Sequence, residues 1–423
     1  MTEIGEIPEE WKIDKVSNLK ESMHYGITAK STEQRSHLRF LRTTDISNFN
    51  FDPNDLHYCE ITGTKPDLSK YYLKQGDIIV ARAGTVGVSV LVKRDLPNTI
   101  FGSYLIKIAF NKDLIYANFV HYYFQSDIYW NKLRAAQGST IKNISLPFLR
   151  ALLLPVPPLQ EQQKIAKILS TADEAIQKVN EEITLTERLE KGLLQTLLTK
   201  GIGHTKFKMT EIGEIPEEWD FTKMGHPKVS EKMKAGGTPL KSVKDYYKNG
   251  TIPFVKIEDI VNSSKYLTRT LEFISANGLR NSSSWLTPKE SILFSMYASY
   301  GEVCINKISV ATNQAIISVI PNKENVDVNF LYYELKNLKN SLKQYIRSTT
   351  QSNLNAEIVR GLKIILPPLP EQQKIAEILS MVDNKLELLR KKKTRLEKLK
   401  RGLMGDLLTG KVRVKLNKSK GEN

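Results

Sequence analysis

Apolar residues recur at alternating four- and three-residue spacing along two stretches of the chain. They fall at Ile165, Leu169, Ala172, Ile176, Val179 and Ile183, and again at Ile375, Leu379, Val382, Leu386, Leu389 and Leu396, with Lys393 in the one position of the second stretch that is not apolar. Heptad spacing of this length predicts a coiled-coil seam, with the intervening Lys, Glu and Arg on the solvated face. The alternative is an ordinary amphipathic helix packed on its own domain. Because the two stretches match in phase and length, we favour a coiled coil of two helices, each about 40 residues or about 60 Å long.

Both stretches belong to a larger internal repeat. The segment TEIGEIPEEW occurs at 2–11 and again at 210–219. PPLQEQQKIAKILS begins at Pro157 and PPLPEQQKIAEILS at Pro367, while KGLLQTLLTKG from Lys191 is echoed by RGLMGDLLTGK from Arg401. The chain is therefore two tandem copies of a unit of roughly 210 residues, which suits a domain plus a connecting element.

The middle of each copy predicts mixed structure that is rich in short strands. Apolar, β-branched runs between turn residues predict strands at 77–81, 87–92, 291–294 and 315–320, and one-sided apolar patterns predict helices at 118–125 and 329–339. The predicted fold class is α+β, with two mostly-β domains separated by two long helices. The predicted boundaries are 1–155 and 206–365 for the domains, 156–205 and 366–412 for the helices, and 413–423 for a basic tail.

The charge balance indicates a polyanionic partner. The 423 residues carry 62 Lys+Arg against 46 Asp+Glu, a formal net charge of +16. Nucleic acid is the commonest partner of such a chain, an anionic membrane surface comes next, and a basic protein without such a partner is the alternative. The acidic N-terminus has no apolar core of a signal peptide, and no stretch is apolar enough to span a bilayer. Two distant cysteines indicate a reducing cytoplasm.

Catalytic motifs are missing from the sequence. The six histidines are scattered without metal-ligand spacing, and there is no phosphate-binding P-loop, dinucleotide-binding glycine motif or nucleophile elbow. Carboxylates are dispersed rather than grouped as a Mg²⁺-dependent nuclease requires. We therefore predict a non-catalytic protein without a metal or cofactor of its own.

The two middles carry polar loops suited to DNA. In the first, the predicted contacts are Lys30, Arg35, Arg39, Arg42, Thr43, Thr44, Arg82, Thr85, Ser139, Thr140 and Lys142. In the second they are Lys241, Lys244, Tyr246, Lys256, Tyr297, Ser299, Thr350, Gln351 and Asn353. Lysine and arginine suit phosphates, arginine also reads guanine, and hydroxyls and amides suit base edges. Taken singly, each such residue could equally belong to an ordinary solvated loop.

The doubled P-P-L-x-E-Q-Q-K-I-A-x-I-L box resembles the specificity subunit of Type I restriction–modification systems. So do both TEIGEIPEEW segments and GGTP followed by YYKNGTIPFVKIEDI in the second copy. The resemblance covers nearly the whole chain. The first middle departs from it, because YGITAKSTEQRSHLRFLRTTDI lacks the GGTP and YYKNG-like stretches.

The resemblance implies that each middle is a target recognition domain reading one half of a split double-stranded DNA site. It implies an antiparallel coiled coil, a pseudo-twofold and nearly cyclic arrangement, and no catalysis by this subunit. Two modification subunits would bring S-adenosylmethionine, and two restriction subunits would bring ATP-driven translocation and cleavage, with Mg²⁺ also expected on partners. From the near-cyclic arrangement we expect the tail LLTGKVRVKLNK to lie near Thr2.

Two partners of one kind need two equivalent surfaces, which favours the repeated segments. The predicted partner contacts are Glu161, Gln162, Gln163, Glu371, Gln372, Gln373, Trp11 and Trp219. The alternative is that these repeats serve internal packing only. For the whole chain, the alternative function is a two-domain coiled-coil scaffold that does not bind DNA.

Overall fold

The computed structural model describes residues 6–61, 67–137, 143–297, 300–339, 342 and 354–415. The chain divides into two compact units. Unit 1 comprises residues 1–180 and 391–423, and unit 2 comprises residues 181–390. Each unit therefore contains one recognition-type domain and a segment of each long helix.

Unit 1 begins with short strands and ends in helices. Its elements are β1 (Lys12–Lys15), α1 (Val16–Leu19), β2 (Lys20–Tyr25), β3 (Lys30–Thr32), β4 (Arg39–Leu41), β5 (Tyr58–Glu60), β6 (Ile78–Ala81), β7 (Ser89–Leu91), β8 (Thr99–Phe101), β9 (Leu105–Phe110), α2 (Ala117–Tyr123), α3 (Asp127–Gln137), α4 (Leu146–Ala151), β10 (Leu153–Val156) and the start of α5 (Leu159–Leu197). They form sheets in the orders β2-β9-β6-β7 and β3-β5-β4-β8, and a β1-β10 pair.

Unit 2 repeats this order with small additions. Its elements are β11 (Phe207–Thr210), β12 (Gly213–Pro216), β13 (Asp220–Lys223), β14 (Ser230–Ala235), β15 (Ile252–Val255), α6 (Ile257–Asn262), β16 (Tyr266–Leu267), β17 (Glu272–Ile274), α7 (Ala276–Arg280), β18 (Ile292–Ser295), β19 (Val303–Asn306), β20 (Ala311–Thr312), β21 (Ile316–Pro321), α8 (Val328–Leu338), α9 (Ala356–Gly361), β22 (Lys363–Leu366) and the start of α10 (Leu369–Leu407). The sheets run β14-β21-β18-β19-β16 and β17-β15-β20, with β13-β22 and β11-β12 pairs.

Strand β6 separates two of the hydrophobic cores of unit 1. Successive side chains of a strand point to opposite faces of the sheet. Ile78 and Val80 enter the core beneath α2 and α3, while Ile79 and Ala81 enter the core on the other face. All four side chains are buried, which explains why the strand reads as a continuous apolar run rather than an alternating one.

The two units share strand register as well as order. Ile78 lies opposite Ile108 and Leu91, and Ile292 lies opposite Val319 and Ile305. The next turn matches too, since the Asn111 N–H donates to Leu19 O at 2.9 Å and the Asn322 N–H donates to Val229 O at 2.9 Å. The predicted repeat of one mostly-β α+β fold is confirmed, and the strands and helices predicted in the middles occur as β6, β7, β18, β21, α2 and α8.

The long helices confirm the predicted length. Helices α5 and α10 each span 39 residues, and both begin just after a proline pair rather than at the predicted 156 and 366. In unit 1 the start of α5 packs antiparallel to the end of α10: Ile165 and Leu169 share a core with Leu407 and Leu408, and the Lys400 Nζ lies 2.6 Å from Asp173.

The same packing recurs in unit 2 with the helix segments exchanged. Leu197 near the end of α5 shares a core with Ile375 and Leu379 near the start of α10, and Arg390 pairs with Glu187 at 2.8 Å. The two long helices therefore pack together, as the heptad pattern predicts.

Unit 1 also brings the two ends of the described chain together. The Arg413 guanidinium lies 2.8 Å from a Glu10 carboxylate oxygen, and Ile7 and Val414 pack against one core. A Cβ added to Gly410 would lie 2.4 Å from the Pro8 ring. The prediction that the tail lies beside the start of the chain is confirmed for these residues, while Thr2 itself lies outside the described residues.

Candidate nucleic-acid interface

The turn after β6 has a counterpart after β18. Gly87 and Gly301 both adopt left-handed backbone, with φ of 87° and 79°. Their N–H groups donate to Ala81 O at 2.9 Å and Ser295 O at 3.0 Å. A Cβ at either glycine would lie 2.6 Å from a leucine side chain, that of Leu133 or Leu342. Glycine is therefore required at both positions.

Arg82 stands at the base of this turn in unit 1. Its guanidinium lies over the Tyr25 ring at 4.6 Å, and its Nε donates to Asn143 Oδ1 at 3.3 Å. Within the described ranges no carboxylate lies within 4 Å of this guanidinium, and the side chain is half-buried. The ring and the amide hold the cation in place without neutralising it, which leaves it suited to a phosphate or to guanine.

Three other predicted DNA contacts have internal partners instead. Arg39 donates to Asn54 O at 2.8 Å and Leu56 O at 2.9 Å. Arg42 pairs with Asp45 at 2.7 Å, which raises the pKa of the guanidinium, and Lys256 pairs with Glu272. The sequence did not show these pairings, because Arg39 and Lys256 meet their partners through the tertiary fold and Arg42 meets Asp45 through a short 3₁₀ turn. These three side chains would have to exchange existing bonds to reach DNA.

The remaining predicted DNA contacts fall into three groups. Lys30, Arg35, Thr44, Thr85, Lys241 and Lys244 are exposed, and Thr43, Tyr246 and Tyr297 are half-buried. Ser139, Thr140, Lys142, Ser299, Thr350, Gln351 and Asn353 lie outside the described residues.

The structure shows that Gly26 is the counterpart of the first glycine of GGTP, although the first copy lacks the GGTP sequence itself. The Gly236 N–H donates to Ile316 O at 3.0 Å and the Gly26 N–H donates to Leu105 O at 3.0 Å, each directly after the equivalent strand. At both glycines an added Cβ would clash with backbone oxygen at 2.3 Å or less. Thr28 and Thr238 follow as exposed residues. Sequence comparison missed this match because only one glycine and one threonine are shared.

A basic and aromatic cluster in unit 2 was also missed. Lys232 and Lys234 project from the same side of β14 over the Trp285 ring, at 4.7 Å and 5.9 Å. Both lysines are exposed. The alternating lysines of KMK could have indicated an exposed strand face, but the tryptophan lies 50 residues later and only the fold brings it there.

The predicted partner contacts lie mostly inside the units. The Trp11 Nε1 donates to Glu161 at 3.1 Å, and the Trp219 Nε1 donates to Glu371 at 2.9 Å. The Arg413 guanidinium also contacts Glu161, at 2.8 Å, and the His204 ring contacts Glu371 in the matching place, at 2.9 Å. The two Trp–Glu pairs join the segment that begins each domain to the start of a long helix. For these four side chains the contacts are those of the internal-packing alternative.

The two glutamines that follow each of these glutamates differ in burial, and the pattern is the same in both copies. Gln162 is buried and bonds to the Tyr116 N–H at 2.7 Å, as Gln372 bonds to the Asp327 N–H at 3.0 Å. Gln163 and Gln373 are exposed. Of the eight predicted partner contacts, only these two expose their side chains to a possible partner.

Neither a metal site nor a membrane span is found in the described part of the chain. No group of three or more His, Cys, Asp or Glu side chains there could hold a metal ion. None of the helices described is long and apolar enough to cross a bilayer.

Comparison with known proteins decides the family. The model of the Type I restriction modification DNA specificity domain matches residues 2–187 and again residues 216–398. The chain belongs to the Type I specificity subunit family. It is a non-catalytic subunit with two matched specificity domains, which agrees with the internal repeat.

Relatives support this over the full length. The chain is 32% identical to the MjaX specificity subunit of Methanocaldococcus jannaschii, over 98% of this chain and 96% of that one. It is 31% identical to the type I restriction enzyme MjaVIII specificity subunit of the same organism, over 66% of each.

Solved structures support the fold. An S subunit of a type I restriction-modification system from M. genitalium covers 96% of this chain, with a TM-score of 0.60 and 17% identity. A chain from a structure on complex assembly and conformational transition of the type I R-M system gives a TM-score of 0.58 at 16% identity, also over 96% of this chain. At these identities the likeness concerns the fold alone.

Proposed function

We propose that this specificity subunit reads a bipartite, asymmetric double-stranded DNA site, with one half-site for each unit's recognition domain. The observation that carries the proposal is the pair of equivalent turns after β6 and β18. They share strand register and a left-handed glycine, yet one carries Arg82 at its base and the other carries buried Met296 followed by Tyr297. One backbone with two unlike sets of side chains suits two unlike sequences.

Base reading is assigned to the side chains on these turns and the loops beside them. Arg82 and Thr85 would read the first half-site, and Tyr297 with the Lys232–Trp285 cluster would serve the second. The exposed lysines Lys30, Lys241 and Lys244 would contact phosphates, which position the protein without specifying sequence. The formal charge of +16 favours such contacts throughout.

The long helices would set the gap between the half-sites. Each is a 39-residue helix with a heptad seam, and helices of this kind resist bending more than loops do. Recognition domains spaced about one DNA turn apart, roughly 34 Å, would face one side of the duplex. Lengthening both helices by equal insertions should lengthen the preferred gap, and an unchanged gap would show that the helices are not the ruler.

The partners would be two modification subunits and two restriction subunits in the cytoplasm. S-adenosylmethionine, ATP and Mg²⁺ would be bound by those subunits rather than by this chain. The relatives are named as subunits of type I restriction enzymes, and one structural neighbour comes from work on complex assembly, which supports this assignment. The exposed Gln163 and Gln373 are the side chains of the repeated box that remain as contacts.

Exchange of one recognition domain tests the function. Residues 20–150 would be replaced by the corresponding residues of a relative with a different target, and methylated sites would be sequenced after assembly with the modification subunit. We expect one half of the site to change while the other half and the gap stay constant. The matched control exchanges residues 230–360 and should change the other half. Changes in both halves from either exchange would contradict the assignment of one half-site to each domain.

A further inference from the structure

A cavity of about 490 Å³ lies in unit 1 beside α2, at the open end of the β6–β7 hairpin and so away from the turn that carries Arg82. Its apolar wall includes Leu91, Phe110 and Ile115, and its polar wall includes Asn118 and the exposed Gln163. The side chains of Lys74, Lys93 and Lys112 line it as well. An apolar floor with a few converging polar groups is typical of a binding site rather than of a packing defect.

Unit 2 fills the equivalent place with a side chain of its own. Tyr266 on β16 lies opposite Ile305 in a parallel pairing with β19. Its hydroxyl donates to Asn329 Oδ1 at 2.9 Å, and the Lys307 Nζ lies 4.3 Å from the centre of its ring. By the shared register, Ile305, Lys307 and Asn329 are the counterparts of Leu91, Lys93 and Asn118, in that order. All three of these unit 1 residues line the cavity.

The loop between β4 and β5 of unit 1 corresponds to the segment of unit 2 that contains β16, but it takes another path. It reverses at Ser47 and Asn50, which exchange backbone hydrogen bonds of 3.0 Å and 2.9 Å, and it places Phe51 in the core on the far face of the sheet. In the described part of unit 1 the sheet therefore ends at β7. None of the described residues of this loop lines the cavity. Tyr116 also lines the cavity, but it packs against the core that contains Trp11 and Ile165. Among the described residues of unit 1, no tyrosine takes the place beside Lys93 and Asn118 that Tyr266 takes in unit 2.

The lysines at the cavity outnumber the acids that line it. In unit 2, Lys307 pairs with Glu290 at 2.9 Å, whereas the equivalent position in unit 1 is Gly76. Among the described residues, no carboxylate lies within 4 Å of the ammonium groups of the three lining lysines. Of the two lining acids, Asp77 is engaged by Lys107 at 3.4 Å and by the Lys74 N–H at 2.8 Å, and Glu21 is exposed. The lining therefore suits a ligand that is both aromatic and acidic.

We propose that this cavity is a docking site for a tyrosine side chain on an acidic peptide segment of a partner protein. The tyrosine ring would lie on Leu91 beside the Lys93 ammonium, and its hydroxyl would bond to Asn118, as Tyr266 does in unit 2. Acidic residues on either side would meet the other two lysines. Because Tyr266 fills the equivalent place in unit 2, we assign the site to unit 1, where it would bind one such segment. It concerns a protein partner and does not depend on the DNA-reading assignment.

A labelled peptide of sequence DDYLD tests the site by fluorescence polarisation against the full chain. We expect saturable binding that is lost when serine replaces the tyrosine. Lys112→Glu in the chain should weaken binding by about tenfold, because it reverses one of three attracting charges. The matched control is Lys323→Glu, at the equivalent exposed position beside the filled site of unit 2, and it should change binding by less than twofold.

Three outcomes would overturn the proposal. One is no saturable binding below about 1 mM, where a specific contact of a single anchored side chain should still be measurable. Another is equal binding of the serine peptide, which would reduce the effect to non-specific charge attraction. The third is equal weakening by Lys112→Glu and Lys323→Glu, which would show that the charge effect is not specific to this cavity.

Discussion

The hydroxyl of Tyr122 donates a hydrogen bond to Asp173 at 2.9 Å and ties α2 of the first recognition domain to the long helix α5. Unit 2 repeats the contact between Tyr333 and Asp383 at 2.6 Å. Burial first, and the nearby carboxylate second, raise the pKa of both phenols far above the ordinary value, so each hydroxyl stays a donor. The domain-to-helix contact is thus the same in both units.

The cation beside the aspartate comes from a different helix in each unit. In unit 1 the cation comes from α10, where Lys400 contacts Asp173 and the amide of Gln125. In unit 2 the cation that contacts Asp383 is Lys336 of α8, at the position of Gln125, and it also contacts Glu190 of α5. Lys265 lies beside the same contact and donates to the Tyr333 hydroxyl at 3.4 Å. Lys400→Glu should therefore place a second acid beside Asp173 and lower the stability of unit 1 by about 1–2 kcal/mol.

Adding Gln125→Lys to Lys400→Glu reproduces the arrangement of unit 2. The double variant should recover most of the lost stability, and thermal unfolding of the two single variants and the double variant measures the coupling. Additive losses would show that the exchanged charges do not interact.

Glu334 gives unit 2 a dependence on pH. The side chain is fully buried on α8 and accepts from the Ile365 N–H at 3.4 Å, and desolvation raises the pKa of its carboxyl to about 8. In the unfolded chain the same group ionises near its ordinary value of 4.5. Stability from this site is therefore complete below about pH 4.5 and declines as pH rises toward 8, because only the unfolded state releases the proton in that window.

Glu334→Gln should remove this decline. Above pH 8 we expect the variant to be more stable than the parent by roughly 2–4 kcal/mol, and near pH 4 the two should be similar. The equivalent residue in unit 1 is Tyr123, and burial raises the pKa of its hydroxyl well above pH 9. Tyr123→Phe therefore serves as a control, because its effect on stability should not change between pH 5 and pH 9. Chemical unfolding across this range decides the matter, and parallel curves for parent and Glu334→Gln would contradict the pKa assignment.

The contact between Arg413 and Glu161 closes unit 1. Glu161 is 1% exposed, and its carboxylate is held by the Trp11 indole and by Arg413, itself 42% exposed. Arg413→Ala would leave a buried carboxylate with one donor fewer, and after allowance for solvent at the arginine we expect a loss of about 1–3 kcal/mol. Lys411→Ala removes a nearby, more exposed cation and should cost less than about 0.5 kcal/mol. Equal losses in urea unfolding would show that Arg413 is not a specific closing contact.

The sequence predicted the repeat, the long helices and the main strands, because each depends on periodicity or on local similarity. It left the role of the EQQ segments open between partner contact and internal packing, because in sequence they resemble solvated polar residues at the start of a helix. Glu161 is buried only because Trp11 lies 150 residues before it and Arg413 lies 252 residues after it. The partners of Arg39 and the match between Gly26 and Gly236 were missed for the same reason, since both depend on tertiary contacts.

The central claim, that each unit reads its own half-site, is tested most directly by a single side chain. Arg82→Ala would be made in the full chain, assembled with the modification subunit, and the methylated sites would be sequenced beside those of the parent. We predict relaxed sequence preference in one half-site, an unchanged second half-site and an unchanged gap, with about 1–3 kcal/mol of discrimination lost at the affected base. A change in both half-sites, or an unaltered motif with uniformly weaker methylation, would contradict the account.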